Sequence, residues 1–145
     1  MSDFSSVDSA AVASEGTDTN TIDACSRQLT EFHFPHPNPD YALVKRIDLH
    51  RNRLSSIPEC ICTNSSKLVR LRVLTLSRNK IKSVSASIGN LTMLEELHLL
   101  SNNLYPIKRS LPMEALRTLS GLNLKLLDLR YNEKIRAPAL LELNE

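Results

Sequence analysis

The chain contains no tryptophan, and aromatic residues make up only 4% of it, so any core has to be mostly aliphatic. No stretch approaches the roughly 20 consecutive apolar residues that a membrane-crossing helix needs. The first twenty residues, MSDFSSVDSAAVASEGTDTN, lack both a basic start and an apolar segment and do not read as a secretory signal. The cysteines number three and sit at positions 25, 60 and 62, without the spacing of a disulfide framework. Together these absences favour a reducing compartment, cytoplasmic or nuclear, over an extracellular one. A nucleophile elbow, a phosphate loop and paired catalytic acids are missing too, so no enzyme is expected. His33, His36 and Cys25 have no second ligand pair, and Cys60 and Cys62 are too close in sequence to help, so neither metal nor cofactor is expected.

What is present is unevenly distributed. Residues 1–40 carry seven acids (Asp3, Asp8, Glu15, Asp18, Asp23, Glu31, Asp40) against Arg27, a net of −6, and the remainder carries +8, which sums to the overall +2. The acidic part is rich in Ser, Thr and Ala and cannot bury enough apolar surface to offset the entropy of ordering. Residues 1–28 therefore read as a disordered acidic tail. Residues 29–43, with FHFPHPNPDY inside them, read as a proline-rich linker that doubles as an N-terminal cap through Phe32, Phe34 and Tyr41.

From residue 44 a pattern recurs. VKRIDLHRNRLSSI starts at Val44, LRVLTLSRNKIKSV at Leu71, LEELHLLSNNLYPI at Leu94 and LKLLDLRYNEKI at Leu124. The shared form is L-x-x-L-x-L-x-x-N-x-L, with Val or Ile admitted at the aliphatic sites and one extra residue before the last site of the final copy. The L-x-L centre alternates with period two, as a short strand does. One such strand cannot bury its apolar face alone, whereas stacked copies can share a core as a parallel sheet. Asn52, Asn79, Asn102 and Asn132 then fall where the chain turns off the strand and backbone groups lose their ladder partners. A carboxamide carries both donors and an acceptor, so these four are expected to form an interior ladder bonded to backbone.

These four copies resemble the leucine-rich repeats, of the short cytosolic type that LSSIPECI is similar to. The resemblance implies an α/β fold: a right-handed solenoid of about four repeats over residues 44–136, with a short parallel sheet on its concave face and protein binding on that face. Residues 137–145, RAPALLELNE in part, would be a C-terminal cap or a truncated continuation. Equivalent leucines are 27 residues apart from Leu49 to Leu76, 23 from Leu76 to Leu99 and 30 from Leu99 to Leu129. The long third interval, with Pro112, Leu116, Leu119 and Gly121, predicts a true helix there.

The outward strand positions form four columns across the repeats: Arg46, Val73, Glu96 and Leu126; Asp48, Thr75, His98 and Asp128; His50, Ser77, Leu100 and Arg130; Arg51, Arg78, Ser101 and Tyr131. Charges of both signs beside Leu and Tyr suit a protein or peptide partner. Arg51, Arg53, Arg78, Lys80 and Lys82 form a basic edge, too sparse and too poor in aromatics for nucleic acid, which reads either as a solvated edge or as a site for an acidic partner segment, a phosphate or the chain's own acidic tail. No membrane partner is expected. Asn64 and Asn90 lie in glycosylation sequons, which read here as turn residues. The function expected is a non-catalytic protein-interaction module, an adaptor or regulatory scaffold. Its alternatives are a fragment of a larger signalling protein, whose repeats serve an attached catalytic or receptor domain, and a secreted recognition module.

Overall fold

A computed structural model describes residues 20–34, 39–63, 67–104 and 110–132. Five three-residue strands, β1 (Thr21–Asp23), β2 (Arg46–Asp48), β3 (Val73–Thr75), β4 (Glu96–His98) and β5 (Leu126–Asp128), form one parallel sheet in sequence order. The register places Ile22, Ile47, Leu74, Leu97 and Leu127 side by side. These central residues face inward, followed two positions on by Ala24, Leu49, Leu76, Leu99 and Leu129. All ten are buried except Leu127, which is half-buried in the last strand.

The ladder runs on past each strand. Ala24, Leu49, Leu76 and Leu99 N–H groups donate to Asp48, Thr75, His98 and Asp128 carbonyls at 2.8–2.9 Å. Two residues later Ser26, Arg51, Arg78 and Ser101 donate to His50, Ser77, Leu100 and Arg130. At that point the backbone flips into the left-handed region, with φ of 55–58° at Ser26, Arg51, Arg78, Ser101 and Tyr131. L-residues other than Gly pay about 1–2 kcal/mol for this conformation. The regular repetition of the flip shows that the stacked ladder imposes it.

The asparagines follow directly and are all buried. Asn79 donates through Nδ2 to the carbonyls of Leu49 and Leu76, each at 3.0 Å, and accepts through Oδ1 from Leu54 N–H at 3.0 Å. Asn52 does the same with Ala24, Leu49 and Leu29; Asn102 with Leu76, Leu99 and Ile81; Asn132 with Leu99, Leu129 and Leu104. The carbonyls of Leu49, Leu76 and Leu99 therefore accept two amides each, one from either repeat.

The return side of each repeat differs. It holds a 3-10 helix (Pro39–Leu43), α1 (Glu59–Thr63), a second 3-10 helix (Ala86–Asn90) and α2 (Met113–Gly121). Each of the last three needs only one or two buried anchors: Ile61 and Cys62, Ile88, Ala115 and Leu119. The second 3-10 helix comes so close to α2 that a Cβ on Gly89 would lie 2.8 Å from Thr118 Cβ, which is why glycine occupies that position. In α2, Pro112 is the N-cap, as the helix start required, but Gly121 is its last residue rather than the one beyond it.

Two boundaries differ from those read in the sequence. The tail expected over residues 1–28 is too long, because residues 20–28 build β1 and its turn, giving five strand-bearing repeats among the described residues. Phe32, Phe34 and Tyr41 are then the return side of this first repeat rather than a linker: Phe32 and Tyr41 are buried, and the Phe34 ring lies 5.3 Å and 4.8 Å from theirs. Residues 1–19, 35–38, 64–66, 105–109 and 133–145, which include the rest of the tail, Asn64, and the region of the expected C-terminal cap, lie outside the described residues.

Asn79→Ala leaves Leu54 N–H without its acceptor and removes one of two donors from each of two carbonyls. A loss of about 2–4 kcal/mol is expected in urea unfolding. Asn79→Asp should be at least as damaging at neutral pH and should recover partly in mild acid, where protonation restores one donor. Ser101→Gly should be neutral or stabilising by up to about 1 kcal/mol, whereas Ser101→Val should destabilise by more than that, since a branched side chain resists positive φ.

Candidate interaction face

The sheet's outer face carries the columns expected from the sequence, extended by one strand. Register adds Thr21 beside Arg46 and Asp23 beside Asp48, and the ladder bond from Ser26 to His50 adds Cys25 to the third column. The sequence offered a weak signal for this strand. Ile22 and Ala24 occupy the two aliphatic sites and Leu29 the next, but Arg27 stands at the asparagine position and Ala24 where leucine is usual.

A common local device organises this face. An aspartate on the strand bonds the residue two positions on. Asp23 Oδ1 accepts from Cys25 N–H at 3.0 Å, Asp48 Oδ1 from His50 N–H at 3.0 Å, and Asp128 Oδ1 from Arg130 N–H at 3.2 Å. Side chains join in: His50 Nδ1 lies 3.0 Å from Asp48 Oδ1, and Arg130 grips Asp128 with Nε and Nη2, each at 2.9 Å. On β4, His98 Nε2 lies 3.0 Å from Glu96 Oε2. Asp48 and Asp128, two of the residues expected on the outward columns, each bond a neighbour two residues on.

These contacts set the ionisation of the face. Hydrogen bonding from Arg130 holds the Asp128 carboxyl below its ordinary value, and the Cys25 N–H does the same for Asp23. The Cys25 thiol moves the other way, pushed up chiefly by its hydrogen bond to Asp23. A nucleophilic thiol needs the opposite shift. The Cys25–His50 neighbourhood is therefore not an activated thiol, although His50 carries a carboxylate partner. Thr75, at the centre of the second column, has its hydroxyl oxygen shielded from solvent with no hydrogen-bond partner.

The face is not uniform from end to end. Across β1 and β2 it is polar, with Asp23, Arg46, Asp48 and His50. Across β4 and β5 apolar groups are interspersed among Glu96, His98, Asp128 and Arg130: Leu126 is 43% exposed and half-buried Leu100 adjoins Arg130, with Tyr131, 79% exposed, on the turn beyond. Val73, Thr75 and Ser77 form a half-buried strip between these two ends. The fourth column is not on the strands at all. Arg51, Arg78, Ser101 and Tyr131 are the left-handed turn residues, projecting from the rim where the chain leaves the sheet.

A family model described as leucine rich repeat matches residues 42–104, the span that holds β2, β3 and β4. The mouse protein (Mus musculus) named leucine-rich repeat and calponin homology domain-containing protein 1 is 32% identical to this chain over 113 residues. That match covers 77% of this chain and 15% of the mouse protein. The chain is a leucine-rich repeat protein. The match ends short of β1 and β5, the two terminal leucine-rich repeats, which depart furthest from the repeat pattern.

Because Asp128 is lowered in the folded state, its contribution to stability is present above the unfolded carboxylate value, about 4, and is lost as pH falls through the lower folded value. In Arg130→Ala, carboxyl NMR titration should find Asp128 moved up toward the ordinary range with Asp23 unchanged, and acid unfolding should begin at a higher pH.

Proposed function

We propose that this leucine-rich repeat protein is a non-catalytic interaction module, an adaptor or regulatory scaffold, that holds a protein or peptide against the outer sheet face. Leucine-rich repeat domains generally bind proteins and are generally non-catalytic. The observation that carries the reading here is a pre-ordered outer face, its carboxylates already bonded to neighbouring cations and histidines, with exposed Leu126 and half-buried Leu100 on its last two repeats and exposed Tyr131 on the adjoining turn. Apolar and tyrosine side chains grouped on a rigid surface are what the centre of an interface uses. Arg46, Asp48, His50, Glu96, His98, Asp128 and Arg130 would form the polar rim, already fixed by their mutual bonds. Val73, Thr75 and Ser77 would lie under the partner's middle.

The same face would serve where the repeats are one unit of a longer polypeptide, the reading favoured by the mouse relative, whose name adds a calponin homology domain and of which this chain spans 15%. A cytoplasmic or nuclear setting is part of the proposal, supported by the three free cysteines.

Affinity capture from cell extract with quantitative mass spectrometry tests the face. Leu100→Glu and Tyr131→Glu should each remove the same specific proteins, by tenfold or more at about 1.4 kcal/mol per decade. Arg117→Glu, on the exposed side of α2, should retain them. A captured set indifferent to both face substitutions would overturn the proposal.

A further inference from the structure

We propose that the rim above β2 and β3 is a second docking site, separate from the sheet face, and that its occupant is the acidic segment at the chain's own N-terminus, residues 1–19. The rim carries Arg51 and Arg53 from one repeat and Arg78, Lys80 and Lys82 from the next, all exposed. The backbone fixes their relative placement. Arg51 N–H bonds Ser77 O, one residue before Arg78, Lys80 N–H bonds Leu54 O, one residue after Arg53, and Lys82 N–H bonds Ser55 O. Stacked repeats thus hold like charges about one strand spacing apart, roughly 5 Å at the backbone.

Elsewhere on the sheet such stacking is compensated. Arg72 and Lys125 flank Glu95, which bonds both at 2.6 and 3.1 Å; Arg46 and Arg130 each reach an aspartate on their own strand. Among the described residues the five rim cations have no carboxylate partner, and like charges facing across neighbouring strands are destabilising. An anionic segment laid along the rim would relieve that repulsion at five places.

The N-terminal segment has the matching chemistry. Residues 1–19 hold Asp3, Asp8, Glu15 and Asp18 with no Lys or Arg, and seven Ser and Thr residues that phosphorylation would make more anionic. Its point of attachment is close. Asn20 O accepts from Lys45 and Arg46 N–H at 2.7 and 3.1 Å, which puts residue 20 at the head of β2. From there Arg51 is about 20 Å along the strand at roughly 3.3 Å per residue, and 19 extended residues reach about 60 Å. A tether of this length supplies an effective concentration near millimolar, so weak ionic contacts suffice.

A water-soluble carbodiimide, which joins carboxyls to amines only in direct contact, tests this on the full 145-residue chain. Peptide mapping should find Lys80 or Lys82 joined to Asp8, Glu15 or Asp18 within single chains, at a yield independent of protein concentration. Replacing Arg51, Arg53 and Arg78 by Gln, which spares both reporting lysines, should cut that yield about fivefold, and so should 1 M NaCl, where screening shortens to about 3 Å. The salt arm needs no substitution, so it decides the matter even if the triple variant folds poorly. Links spread evenly over Lys45, Lys67 and Lys125, links only between two chains, or a yield indifferent to salt would each overturn the proposal. None of these outcomes bears on partner capture by the sheet face.

Discussion

Everything in this molecule depends on how carbonyl groups are satisfied where five parallel strands end. A strand of three residues cannot stop in a buried place without stranding polar backbone, and an unpaired buried group costs about 1–3 kcal/mol. Here the side-chain amides of Asn52, Asn79, Asn102 and Asn132 close the account, each bridging the repeat it belongs to and the one before. The aliphatic core supplies the larger gross stabilisation through residues such as Ile47, Leu74 and Leu97. It does not dictate where the chain turns. The amides mark those turns, beside which Arg51, Arg78, Ser101 and Tyr131 take the left-handed conformation that Ser26 also adopts without one.

Much of this was legible from one sequence because the constraint is periodic. The alternation of Ile47 and Leu49, then Leu74 and Leu76, places side chains on a face, and the recurring Asn can only mean a repeated polar need inside an apolar stack. The return arms were less legible. A short 3-10 helix at Ala86–Asn90 and an α-helix at Met113–Gly121 do the same job with one or two buried anchors, so their sequences are weakly constrained. Sequence could also not show that Asp48 and Asp128 spend their charge on neighbours two residues away, since that depends on rotamer and local twist. The first strand was misread because composition and pattern disagreed there. Acidic, Ser-rich flanks suggested disorder, while Ile22, Ala24 and Leu29 carried a faint copy of the repeat.

The sheet face and its rim are built by different rules and so can be separated experimentally. On the face, alternate strand residues are held rigidly by ladder bonds, and carboxylates are matched to cations or histidines before any partner arrives. On the rim, side chains leave a turn and their charge is left uncompensated. A partner on the face would gain from covering apolar side chains such as Leu126 and Leu100, a term insensitive to salt. Contacts on the rim would weaken as ionic strength rises.

The arginine at position 27 has a wider meaning for counting. Each interior amide is a joint between two strands, so the five described strands are joined by four of them, and among the described residues no strand precedes β1 for a further amide to join. Arg27 is exposed there, its Nη2 reaching Asp23 O at 3.4 Å, with its backbone N–H bonded to Asn52 instead. Among the described residues the asparagines mark the seams of the array, and the strands number one more than they do, the member without an amide of its own being β1, where the motif is faintest.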